Sequence, residues 1–93
     1  MAQESKLQQR VMEYLKTRGI YHIKVIQATK TGIPDIICCL NGKFVAIELK
    51  SPKKHTDKLQ EYNIKRIQES WGIAFCSDNY EEIIKSVELI LTN

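Results

Sequence analysis

Three residues close together in the chain carry charge in a pattern that points to chemistry: Asp35, Glu48 and Lys50. Between the two acids, Ile36 to Leu40 and Phe44 to Leu49 are unbroken apolar runs, separated by Asn41-Gly42. That dipeptide tolerates the positive φ angles of a type I′ hairpin turn. With Asn41 and Gly42 as the loop, Leu40 faces Lys43, Ile37 faces Ala46 and Asp35 faces Glu48. Side chains alternate along a strand, so Lys50 shares a face with Glu48, Ile37, Cys39, Phe44 and Ala46. Ile36, Cys38, Leu40, Val45, Ile47 and Leu49 point the other way.

Like charges directly opposite each other in a sheet repel, and desolvation sharpens the repulsion unless a proton or a cation intervenes. Hard carboxylate oxygens suit Mg²⁺ or Mn²⁺, and a lysine one pleat away supplies a positive group to orient or deprotonate a water. The plainer reading is that Asp35 caps a turn while Glu48 and Lys50 are exposed on an edge strand. The register of the three together, next to Pro34, favours the metal site.

Pro34-Asp35 followed by Glu48-Leu49-Lys50 resembles the PD-(D/E)XK nuclease motif. The fuller Gly32-Ile33-Pro34-Asp35 form, with Gln60 downstream, resembles the VRR-NUC branch, and the resemblance runs from Glu4 to about Ser77. It implies hydrolysis of DNA phosphodiesters with Mg²⁺ or Mn²⁺, leaving a 5′-phosphate and a 3′-hydroxyl. It also implies a ligand set of Asp35, Glu48, the carbonyl of Leu49 and Glu4, with Lys50 and Gln60 holding water or substrate. On residues alone, Glu4 is equally a first-turn acid complementing the helix dipole, and Gln60 a surface residue.

A chain of 93 residues makes one domain, spanning residues 1–93, with little room for accessory modules. Its hydrophobic fraction of 43% and charged fraction of 27% are ordinary for a soluble protein. No stretch approaches the roughly 18 apolar residues of a membrane span, and the N-terminus lacks the apolar core of a signal peptide, so a cytoplasmic location is expected. Residues 1–66 hold 13 Lys or Arg against 6 Asp or Glu, a balance of +7, while residues 67–93 hold 1 against 5, a balance of −4. The basic part suits a phosphate backbone. Cys38, Cys39 and Cys76 have no zinc spacing and read as small buried residues in a reducing compartment.

The supporting elements follow from periodicity. Glu4 to about Arg18 is a helix with Leu7, Val11, Tyr14 and Leu15 inward, and Ile20 to Ala28 is a first strand. The loop after it places Lys30 to touch a phosphate, and Gly32 implies a close backbone approach or an unusual φ. Thr56 is placed to cap a helix from Asp57 to Trp71, with Leu59, Tyr62, Ile67 and Trp71 packed and Gly72 as the stop. Lys53, Lys54 and Lys58 would hold DNA backbone leaving the site, or form a solvated loop. Ile73 to Cys76 is a short apolar strand, buried on both faces and either central or beside the hairpin, and Ser77-Asp78-Asn79 opens a last helix to Leu91 with Ile83, Ile84, Val87, Ile90 and Leu91 buried.

The order gives an α/β, restriction-endonuclease-like αβββαβ core with a mixed sheet flanked by helices, plus a C-terminal helix. The expected activity is a metal-dependent endonuclease on branched or flapped DNA. A chain this small has no spare element for reading sequence in the major groove, and a homodimer would bring two sites to a four-way junction. No organic cofactor is implied. The alternatives are a catalytically silent DNA-binding module with the same fold and a protein-binding module using the acidic last helix.

Overall fold

The bend at Asn41 and Gly42 has positive φ at both residues, 52° and 77°, as a type I′ turn requires. The computed structural model describes residues 3–50 and 57–92, residues 3–5 in backbone only. Its elements are α1 (Gln3–Thr17), β1 (His22–Lys24), β2 (Ile36–Leu40), β3 (Lys43–Leu49), α2 (Lys58–Glu69), β4 (Ile73–Ser77) and α3 (Tyr80–Thr92). The hairpin pairs in the expected register, Leu40 with Lys43 and Ile37 with Ala46. Asn41 does a second job: its Nδ2 donates to Leu91 O at 2.6 Å, satisfying a carbonyl at the end of α3.

Sheet order is β1-β2-β3-β4, antiparallel except for the β3–β4 pair, which is parallel. Strand β3 therefore has neighbours on both sides. One face of the hairpin, Ile36, Cys38, Leu40, Val45, Ile47 and Leu49, is buried with Leu7, Val11 and Leu15 of α1 and Ile83 and Val87 of α3. This is the core, and burial raises the Cys38 thiol to about 11. Helix α2 packs against β4, leaving much of that side open, so Cys39 is exposed rather than buried. Among the described residues no helix is long and apolar enough to cross a membrane.

Strand β1 is shorter than the expected Ile20 to Ala28. Its ladder ends with Val25 N–H donating to Asp35 O at 2.8 Å. Helix α2 also differs. Its N-cap is Asp57, whose side chain accepts from Gln60 N while the Gln60 side chain accepts from Asp57 N, a complete capping box. Thr56 lies outside the described residues. The apolar residues expected to be packed are largely exposed, Leu59 at 44%, Tyr62 at 57% and Trp71 at 95%, and the residue α2 does bury is Asn63. Gly72 is not the left-handed stop: Trp71 takes that conformation at φ 71°, at a cost of roughly 1–2 kcal/mol for a residue with a Cβ. Gly72 is needed for another reason, since a Cβ on it would lie 2.8 Å from Ile67 Cγ2.

Helices α1 and α3 are joined at the surface by Glu88, which accepts from Arg18 Nε at 2.8 Å and Nη2 at 2.9 Å, and also from the Tyr14 hydroxyl. Arg18 first, then Tyr14, holds the Glu88 carboxyl down at about 2. A lowered folded-state pKa contributes stability that is complete above the unfolded value of about 4.3 and is lost as pH falls through the folded one. The Glu88→Gln variant should therefore show a flatter decline in Tm between about pH 4.5 and 2 than the natural chain. Thermal melts across that range check this, and superimposable acid limbs would remove Glu88 as the source.

Candidate active site

Extended by one residue, the hairpin register sets Asp35 across from Glu48, beyond the Ile36–Ile47 pair. Asp35 follows the end of the β1–β2 ladder, and its Oδ2 accepts from Leu49 N–H at 2.8 Å. The aspartate thus completes the pairing of β3 where β2 has run out. Glu48, on the interior strand, is 3% exposed. Burying a carboxylate this deeply costs several kcal/mol unless hydrogen bonds and a countercharge offset it.

Both are present. Gln60 Nε2 donates to Glu48 Oε2 at 2.7 Å, Lys50 Nζ donates to Gln60 Oε1 at 2.8 Å, and Lys50 Nζ lies 3.9 Å from Glu48 Oε2. Only the NH₂ end of the amide can donate to the carboxylate and only its oxygen can accept from the ammonium, so the two neighbours fix its orientation. Gln60 is in the first turn of α2, and the positive end of that helix favours the nearby carboxylate.

The loop bearing Pro34-Asp35 is pinned to the same helix. Asn63 Nδ2 donates to Thr31 O at 3.1 Å and Leu59 O at 2.9 Å. Gly32, at φ +77°, comes so close that a Cβ would lie 2.7 Å from Leu59 Cγ and 3.1 Å from the Leu59 carbonyl carbon. The expected close approach and unusual φ at Gly32 are thus both present, and the surface it meets is α2.

Asp35, Glu48, Leu49, Lys50 and Gln60 are brought together as the motif required. Glu4 lies in the first turn of α1, its side chain outside what the structure describes, as are Lys53 and Lys54. Lys58 is exposed at the first position of α2. Lys30 lies elsewhere, on the rim of a groove near the far end of α2. The sequence reading missed Asn63, a polar residue on a face expected to be apolar. It also missed Lys6 and Arg10, which with Lys50 line a recess of about 410 Å³ that reaches Asn79 and Tyr80. The signal for those two was their i, i+4 spacing around the buried Leu7.

Among the described residues the donor set fits a divalent cation: two carboxylates against one lysine leave a negative excess of hard oxygen at a partly dry position. Among the described residues no third His, Cys, Asp or Glu joins them in a metal-binding group.

The chain is thus a mixed four-stranded sheet with this motif on its hairpin and helices on both faces. No family model and no curated protein matches the sequence. Solved structures do match. A chain titled "VRR_NUC domain" superposes with a TM-score of 0.81 at 20% identity, covering 95% of this chain and 97% of that one. Another, "VRR_NUC domain protein", gives 0.83 at 16% identity over 99% of this chain and 90% of that one. The chain has the VRR-NUC fold.

Because φ and the tight contact both oppose a side chain at Gly32, Gly32→Ala should destabilise by about 1–3 kcal/mol in denaturant melts. Gly42→Ala, at the same φ but with nothing within 4 Å of its Cβ, should lose less. Equal losses would mean that contact with α2 is not what Gly32 provides.

Proposed function

We propose that this chain is a metal-dependent endonuclease that cleaves branched or flapped DNA. The observation that carries the reading is the Glu48–Gln60–Lys50 chain, a buried acid and an ammonium joined through one amide on the motif face. Asp35 and Glu48, with the Leu49 carbonyl and Glu4, would hold Mg²⁺ or Mn²⁺. Such an ion, when bound, acidifies a water and neutralises charge on the scissile phosphate.

The remaining roles belong to the chain itself. Lys50, its ammonium fixed by Gln60, holds the attacking water or stabilises charge gathering on the phosphate. Gln60 bridges Glu48 and Lys50, whose charges lie 3.9 Å apart, and so aligns the acid as a ligand with the ammonium beside it. Lys6 and Arg10, in the recess next to Lys50, and Lys58 at the start of α2 take neighbouring phosphates, as would Lys53 and Lys54. Phosphate contacts position a duplex without reading its sequence, so the branch geometry selects the substrate. A homodimer would present two sites to a junction.

Purified protein incubated with labelled four-way junction, flap and linear duplex should cut the branched forms in Mg²⁺ or Mn²⁺ and none in EDTA. Asp35→Asn and Lys50→Ala should each lower cleavage at least about a hundredfold, with DNA binding and circular dichroism retained. Equal cutting in EDTA would end the metal mechanism, and no cutting with any metal would leave a binding module. Light scattering should give twice the chain mass, and a monomer that still resolves junctions would remove the dimer.

A further inference from the structure

The far end of α2 holds an arrangement that folding does not explain. The helix closes in a Schellman turn, with Trp71 N–H donating to Gln68 O at 3.1 Å and Gly72 N–H to Ile67 O at 2.9 Å. The left-handed position of such a turn is normally glycine, because a Cβ there is strained. Here it is Trp71, at φ 71°, with its indole 95% exposed. A large aromatic in a conformation it resists, left in water, gives the fold nothing.

Trp71 borders a groove of about 490 Å³ whose apolar wall includes Ile37, Phe44 and Ile67, with Lys30 and Arg66 at the edge. Phe44 is itself 47% exposed, and the lack of a Cβ on Gly72 lets the turn approach it, since that atom would lie 3.3 Å from Phe44 Cδ1. The groove and the candidate active site share one face of the sheet. Phe44 precedes Glu48 by four positions on β3, about 13 Å at the rise of a strand. That span is at most about four nucleotide steps, at the 3.4 Å per-strand rise of duplex DNA, and fewer along an extended single strand.

We propose that this groove takes an unpaired nucleobase of the DNA, stacked on Trp71 against Phe44, within about four nucleotides of the cut. The inference rests on the DNA-cleaving reading of the neighbouring site. Lys30 and Arg66 meet the flanking phosphates. Arg66 pairs with Glu69 at 3.1 Å, but both are well exposed, and such a surface pair is readily exchanged for a phosphate. Charge selects this occupant: an apolar peptide offers nothing to the two cations, and a second copy docked two-fold through the same face would bring more cations to the same edge. Flaps and gaps, with single strand at this spacing, are then the substrates favoured over fully paired DNA.

Trp71 is the one tryptophan of the chain, so its emission reports on the groove directly. Titrating the full chain in EDTA with duplexes carrying thymidine tails of increasing length should quench it, saturating by about four tail nucleotides. Blunt duplex should bind, by anisotropy, without quenching. Trp71→Gly suits the backbone better, so it should fold with an equal or higher Tm yet bind tailed DNA about five- to a hundredfold more weakly. Trp71→Phe should recover most of that affinity. Tailed DNA that binds without quenching, or equal affinity in Trp71→Gly, would overturn the proposal. So would an emission change that follows protein concentration alone, which assigns the groove to a second copy. The two readings fail separately. Cleavage in Mg²⁺ with no tail-dependent quenching removes the groove alone, whereas tail-dependent quenching with no cleavage under any metal keeps the groove and removes the nuclease.

Discussion

The structure turns on how a carboxylate is kept inside a sheet. Glu48 is on β3, the strand paired on both sides, so its backbone cannot shift to return the charge to water. Its desolvation is tolerated because α2 brings the Gln60 amide and the positive end of a helix against it, and because Lys50 follows one pleat later. Removing any one of these partners leaves the acid short of compensation. The position of α2 is thus set by a polar requirement on β3.

The packing of α2 follows. A helix placed by oiled contacts would turn its apolar residues inward, but this one turns Gln60 and Asn63 inward and leaves Leu59 and Tyr62 well exposed. Asn63 and the bare backbone of Gly32 tie the Asp35 loop to the helix that holds Glu48, so both acids are located by one element. Hydrophobic stability comes instead from the opposite face, where α1 and α3 cover the fully buried residues of the hairpin. The two faces divide the work, one stabilising the sheet and the other shaping its chemistry.

That division explains what could be read from the chain. The hairpin register was legible because Asn41-Gly42 admits few turns and a slip of one residue would turn the apolar face to water. The joining of Asp35, Glu48 and Lys50 followed from that register. The orientation of α2 was not legible, since periodicity assumes that apolar residues mark the buried side and here the buried side is marked by Asn63. Gly72 was misread because glycine serves two ends, left-handed backbone and close approach, and only coordinates tell which.

The stability given up on the α2 side has a pattern of its own. Phe44, Leu59, Tyr62 and Trp71 all remain in contact with water there, although a short chain gains its margin from apolar burial and has little to spare. Lys30, Lys58 and Arg66 are exposed among them. Apolar surface edged by cations matches a ligand that is itself flat and apolar with an anionic rim, as a nucleotide strand is. The link of Glu88 to Arg18 and Tyr14 belongs to the other layer, where it joins two helices and places one of the C-terminal acids away from that surface. Binding would therefore cover the apolar area that folding leaves open, which ties the low burial of α2 to the same polar demand that Glu48 makes on its first turn.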